Sequence, residues 1–219
     1  MIYGIIFDLD GVLVSTDELH YRAWKELADS LGIHFDREQN DRCRGISRMA
    51  SLEIVLERAA REYSKEEKER FAEEKNERYR SLLSSLTPGD VPPDVAPTLA
   101  ELKRRGYRLA LASASRNAPL ILERTGLGVY LDAVADGNSV TRSKPDPEVF
   151  LAAARMLGLS PRNCAAMDDA MAGVEAGRAA GMLTVGFGDS AEHAAGDYNL
   201  DRFGQLLEIF PGPGMEEDI

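Results

Sequence analysis

The sequence predicts an α/β fold, a doubly wound parallel sheet with an all-helical segment inserted after its first strand. Three observations predict it. Ile2-Tyr3-Gly4-Ile5-Ile6-Phe7 is a nearly unbroken apolar run, the pattern of a strand buried on both faces. Residues 15–86 carry only helical patterns. From residue 95 onward helix and strand patterns alternate, as in successive βαβ units.

The first strand ends in Asp8-Leu9-Asp10-Gly11. Two acids beside a buried strand are costly unless a cation or ligand engages them, and open α/β sheets bind ligands at that carboxyl end. Ser15-Thr16-Asp17-Glu18 reads as a capping box with Ser15 at the N-cap. It opens a helix with the stripe Leu19, Ala23, Leu27 and Leu31, closed by Gly32. A second helix is expected from about Arg48 to Tyr63. Ser64-Lys65-Glu66-Glu67 is another capping box, starting a long charged helix toward Leu86.

Thr87-Pro88-Gly89-Asp90-Val91-Pro92-Pro93-Asp94 is the clearest linker. The chain is thus expected to divide into a core, residues 1–14 and 90–219, and a helical cap with its hinges, residues 15–89. A helix near Val95–Arg105 leads to a strand at Tyr107–Ala112. A helix beginning at Asn117-Ala118-Pro119 stops at Gly126. A short strand follows at Leu131–Ala135, and Asp146-Pro147 caps a helix through Leu157-Gly158. Cys164–Met167 and Met182–Val185 are apolar strands joined by a helix near Ala170–Ala180. Phe203–Ile209 reads as a short final helix, and Pro211–Asp218 as a frayed tail.

The length of 219 residues suits one large domain, or a core with a smaller insertion. A net charge of −11 argues against nonspecific nucleic-acid or anionic-membrane binding. It does not exclude a small anionic substrate held by a few local cations. No basic stretch precedes the first apolar run, and no run approaches the roughly 18 apolar residues of a membrane span. Cys43 stands in a polar loop and Cys164 in an apolar strand, which suits free thiols in a reducing cytosol. A cytoplasmic monomer acting on a small molecule is the expectation.

The polar residues fall at strand ends. The first strand ends in Asp8 and Asp10, the Leu109–Ala112 strand in Ser113-Ala114-Ser115, and the Cys164–Met167 strand in Asp168-Asp169. Lys144 stands just before the Asp146-Pro147 helix start. A parallel sheet brings such ends to one rim. Four carboxylates there would repel one another and raise their own pKa values, a conflict that Mg2+ resolves, being a hard cation that takes oxygen ligands and bridges carboxylates to phosphate. Lys144 and the Ser113 and Ser115 hydroxyls suit the remaining phosphate oxygens. The chemistry implied is phosphoryl transfer, with a carboxylate able to form an aspartyl-phosphate. Taken singly, Asp168-Asp169 also reads as a helix cap and Ser113-Ala114-Ser115 as a plain turn. Gly186-Phe187-Gly188-Asp189-Ser190-Ala191 formally matches a dinucleotide-binding glycine pattern, but no convincing βαβ unit follows it.

With an Asp-x-Asp loop, a Ser after the second strand, a Lys and paired acids in this order, the chain resembles the haloacid dehalogenase-like superfamily. Arg22-Ala23-Trp24-Lys25, Gly45-Ile46-Ser47-Arg48, Lys75-Asn76-Glu77-Arg78-Tyr79 and Leu111–Asn117 are most similar to its β-phosphoglucomutase branch. The resemblance implies Asp8 as nucleophile, Asp10 as general acid/base, and Lys144 and Ser113 as further catalytic groups. It implies a magnesium site at Asp8, Asp10, Asp168 and Asp169. It implies a sugar-phosphate pocket from Thr16, His20, Trp24, Gly45, Ile46, Ser47, Arg48, Ser51, Lys75, Ser113, Ala114, Ser115, Arg116, Asn117 and Lys144, with Arg48 on the distal phosphate. The activity implied is interconversion of β-glucose 1-phosphate and glucose 6-phosphate. A sugar-phosphate phosphatase is the first alternative, and a noncatalytic sugar-phosphate binder a remote one. A phosphonatase-type Schiff base would need Lys25 or Lys75. Two departures from the pattern stand out: Asp168-Asp169-Ala170 replaces the usual Glu-Asp-Ser, and Ser15 replaces the usual Asp.

Overall fold

A computed structural model describes residues 1–213. Six strands form one sheet: β1 Gly4–Phe7, β2 Arg108–Ala112, β3 Ala133–Ala135, β4 Cys164–Asp168, β5 Leu183–Phe187 and β6 Tyr198–Leu200. All pairings are parallel, in the order β3-β2-β1-β4-β5-β6. The order reverses at β1, so the crevice between the ends of β1 and β4 is the topological switch point at which such sheets bind ligands. Phe7 pairs with Met167, which places Asp8 and Asp168 side by side there.

Alternation along β1 explains the two core layers. Ile5 and Phe7 pack with residues of helices α5 Val95–Arg104 and α6 Ala118–Thr125, and Ile6 packs with those of α7 Glu148–Met156 and α8 Met171–Ala179. Between β1 and α5 lie four helices: α1 Asp17–Ser30, α2 Arg37–Asp41, α3 Arg48–Leu56 and α4 Lys65–Leu83. They bury their own cluster, including Trp24, Leu27, Phe35, Leu52, Val55 and Phe71, and form a cap over the sheet rim. The base of the cap is continuous with the core, since Ala23, Tyr79 and Leu83 join the Ile5–Phe7 layer. Two short helices complete the chain, α9 Gly188–Glu192 and α10 Leu206–Ile209. Among the described residues no helix is long and apolar enough to cross a membrane.

Several expectations are corrected. Ser15 is not the N-cap of α1; Thr16 holds that position and makes no side-chain cap bond, because its hydroxyl donates to Asp10 instead. The second cap helix ends at Leu56, seven residues early, where the backbone tightens into three-residue turns (Glu57 amide to Ile54 carbonyl at 3.3 Å, Ala59 amide to Leu56 carbonyl at 3.0 Å), although Ala59 and Tyr63 still pack against the cap cluster. The sequence reading missed α2, whose N-cap Asp36 accepts from the Gln39 amide at 3.0 Å. It also missed β6, so a strand does follow the glycine-rich Gly186–Ala191 segment. Of the tail expected to fray, residues 214–218 lie outside the described residues.

Candidate active site

β1 delivers Asp8 to the rim, and the turn after it is held by Gly11, whose φ of +79° favours glycine. A Cβ on Gly11 would also overlap the Asp169 carboxylate. Across the rim, a Cβ on Gly173 of α8 would overlap the carboxylate of Asp168. Both acids therefore depend on glycines that give them room.

Lys144 is fully buried among these acids. Its ammonium donates to Asp8, to Asp168 at 2.7 Å and to the Ala112 carbonyl at 3.0 Å. Burial opposes its charge, but Asp168 and Asp8 outweigh burial and raise its pKa above the usual lysine range. Burial is the main force raising the Asp8 carboxyl well above the carboxylate range, with Lys144 opposing and Asp168 and Asp169 adding repulsion. Asp169 is pushed up to about 7, first by burial and then by Asp168.

Asp8, Asp168 and Asp169 each offer an oxygen within 4.8 Å of the others. Three buried, mutually repelling carboxylates are a donor set that fits magnesium. The expected fourth member, Asp10, is not in that group, because its carboxylate accepts from the Thr16 hydroxyl. Burial raises Asp10 to about 6, the Thr16 bond opposing and Asp17 adding to the rise.

A cavity of about 330 Å³ lies between the cap and the rim. It is lined by Asp8, Asp10, Lys144, Asp169 and the Ser113–Asn117 loop from the core, and by His20, Trp24, Gly45–Arg48, Ser51 and Lys75 from the cap. The expected pocket residues thus converge, with one exception. Thr16 is fully buried and off the cavity wall, 2.8 Å from the Tyr79 hydroxyl and bonded to Asp10. Asp168 lies beneath the wall, held by Lys144.

The loop after β2 is folded by its own serines. Ser113 Oγ accepts from the Ser115 amide at 3.1 Å, and Ser115 Oγ from the Asn117 amide at 3.2 Å. Each hydroxyl keeps its hydrogen for an incoming anion. On the cap, Ser51 Oγ donates to the Ser47 carbonyl at 3.1 Å, so it orders the Gly45–Ser47 loop. Lys75 Nζ stands 2.8 Å from His20 Nδ1, and 4.6 and 4.5 Å from the Trp24 and Tyr79 ring centroids. Burial and then Arg48 lower Lys75 to about 7. Burial, Lys75 and Arg48 lower His20 well below its usual range, which keeps the ring neutral. Lys25 lies away from the cavity, paired with Asp29.

Three neighbours were missed by sequence reasoning. Arg44 pairs with Asp169, 125 positions away, and lies 3.5 Å from Asp17. Its only local signal is its place beside Gly45. Tyr79 follows Lys75 by four residues, one helical turn, a spacing that could have found it. Asn76 accepts from Arg48 at 2.8 Å and from Asn117 at 2.9 Å.

Residues 2–181 match the family model described as haloacid dehalogenase-like hydrolase. The β-phosphoglucomutase of Bacillus subtilis is 45% identical over 187 residues, covering 84% of this chain and 83% of that protein. A phosphorylated carbohydrates phosphatase of Thermotoga maritima is 33% identical over 182 residues, covering 82% of each. Among solved structures, a β-phosphoglucomutase from Clostridium difficile superposes with a TM-score of 0.88 at 39% identity, covering 94% of this chain and 93% of that one.

Proposed function

Because this chain belongs to the haloacid dehalogenase-like hydrolase family, we propose that its phosphoryl-transfer site interconverts β-glucose 1-phosphate and glucose 6-phosphate through a bound 1,6-bisphosphate. In this reading residues 1–14 and 90–219 are the phosphoryl-transfer core and residues 15–89 the cap, and the protein works as a cytoplasmic monomer. One observation carries it: a single cavity holds the Asp8–Asp10 pair and also a second cationic group, Arg48 and Arg116. A bisphosphate needs two such anion places, whereas hydrolysis of a monophosphate needs one.

Asp8 attacks phosphorus and carries the phosphoryl group, its carboxylate oriented by Lys144. Asp10, at about 6, can both give and take a proton near neutral pH, which suits it to protonate the leaving oxygen and deprotonate the attacking hydroxyl. The Ser113 and Ser115 hydroxyls and Lys144 bind the transferring oxygens. Magnesium held by Asp8, Asp168 and Asp169 would neutralise charge on that group. Lys75, His20 and Trp24 line the sugar side of the cavity. The cap favours a sugar hydroxyl over water by positioning, for which effective molarities reach roughly 10⁵–10⁸ M.

The second reading is a sugar-phosphate phosphatase. It is favoured by the 33% identity to a phosphatase, whose chemistry the same Asp8–Asp10–Lys144 core would serve. The test supplies β-glucose 1-phosphate, magnesium and a trace of glucose 1,6-bisphosphate, and follows glucose 6-phosphate and free phosphate separately. Glucose 6-phosphate in large excess over phosphate is expected, and Asp8→Asn should abolish both. Phosphate without glucose 6-phosphate would select the phosphatase.

A further inference from the structure

Arg48 is the cap's cation in the second anion place, and two groups hold its guanidinium. Glu73 accepts from Nη1 at 3.3 Å, and its carboxylate is largely in solvent. Asn76 accepts from Nη2 at 2.8 Å and is itself buried. The same Asn76 oxygen accepts from Asn117 Nδ2 at 2.9 Å. Asn117 belongs to the core, at the N-cap of α6, while Arg48 and Asn76 belong to cap helices α3 and α4. One amide oxygen therefore joins a cap cation to a core donor across the cavity. Asn76 Nδ2 donates to Glu73 at 3.1 Å, which fixes which way the amide faces.

We propose that Asn76 is a positioning residue that assembles the distal-phosphate site only when the cap meets the core, by sharing its oxygen between Arg48 and Asn117. The inference rests on the reading of Arg48 as the distal-phosphate cation. The choice of an amide has a physical reason. A neutral acceptor aligns a guanidinium without cancelling its charge, whereas a second carboxylate of the same shape, added to the largely solvent-exposed Glu73, would cancel more of it. Among the described residues, Asn76 alone accepts from both Arg48 and Asn117. When the cap lifts, the bond to Asn117 breaks, and Arg48 and Asn117 no longer converge on one phosphate.

The test compares Asn76→Ala, Asn76→Asp and Arg48→Ala on two substrates, β-glucose 1,6-bisphosphate and a small aryl phosphate that reaches only Asp8. Asn76→Ala should raise KM for the bisphosphate by about tenfold, the loss of roughly one charged hydrogen bond. Asn76→Asp, nearly isosteric, should raise it at least as much. Both should leave kcat/KM for the aryl phosphate within about twofold. If Arg48→Ala raises the bisphosphate KM while both Asn76 variants match wild type, the positioning role is wrong and the phosphate site stands. If Arg48→Ala leaves that KM unchanged, the phosphate-site reading falls, and the inference with it. Equal losses on both substrates would make Asn76 a merely structural residue and overturn the proposal. An Asn76→Asp variant that binds the bisphosphate as wild type does would overturn the argument from charge.

Discussion

Lys75 is buried beneath Trp24 and Tyr79 with no ion-pair partner among the described residues, and its proton affinity falls from the ordinary 10.5 to about 7. Between those values the unfolded chain holds a proton that the folded protein has lost. Stability therefore rises with pH across that window, and the full burial penalty applies below about 7. Lys75→Met should accordingly stabilise the protein at pH 6.5 by on the order of 4 kcal/mol. The gain should shrink as pH approaches 10. Urea unfolding at pH 6.5 and 9.5 measures the two differences, and a gain flat in pH would refute the assignment. Single residues were unevenly legible. Asp8 and Asp10 were evident from cost alone, as acids ending an apolar strand. That Asp10 turns to Thr16, away from the three-carboxylate group, depends on a contact made only once α1 docks.

At the scale of elements, α4 was read almost to its ends because its start signal is local. Ser64 Oγ accepts from the Glu67 amide at 3.2 Å, and the Glu67 carboxylate accepts from the Ser64 amide at 2.9 Å. Ser64→Ala should cost about 1 kcal/mol, seen as a lower urea midpoint with an unchanged slope. Because Ser64 lies about three helical turns from Lys75, kcat should stay within about twofold of wild type. An unchanged midpoint would mean that the paired Arg61–Glu67 contact holds the helix start without Ser64. The elements that escaped the sequence reading are the short ones. α2 has five residues and β6 three, too few to display a period. Ser15 misled because it matches a capping box by spacing. Thr16, one residue on, is the residue held between Asp10 and Tyr79, and its position sets where α1 begins.

Over the whole molecule, the cap touches the core through few polar contacts. Arg44–Asp169 is the sole ion pair among the described residues that joins the cap helices and their loops to the sheet rim. Burial opposes the Arg44 charge, but Asp169 and Asp17 outweigh it and raise its pKa. Arg44→Ala should therefore shift the metal-free protein toward an open cap, seen by small-angle scattering as a larger radius of gyration. Scattering identical to wild type would place the closing force in the apolar contacts at the base of the cap, where Tyr79 and Leu83 meet the core layer.

The sequence by itself determined the parallel sheet, the helical insertion, and the acids, serines and lysine at the strand ends. Each of these is written in near-neighbour patterns: apolar runs, turn residues, and polar groups placed where strands stop. Tertiary structure alone decided the partners. Lys144 reaches Asp8 over 136 positions, Arg44 reaches Asp169 over 125, and Asn76 reaches Asn117 over 41. No periodicity links such residues. Their meeting depends on the strand order that sets β1 beside β4 and on the angle at which the cap comes down, and both are fixed by how the apolar layers pack.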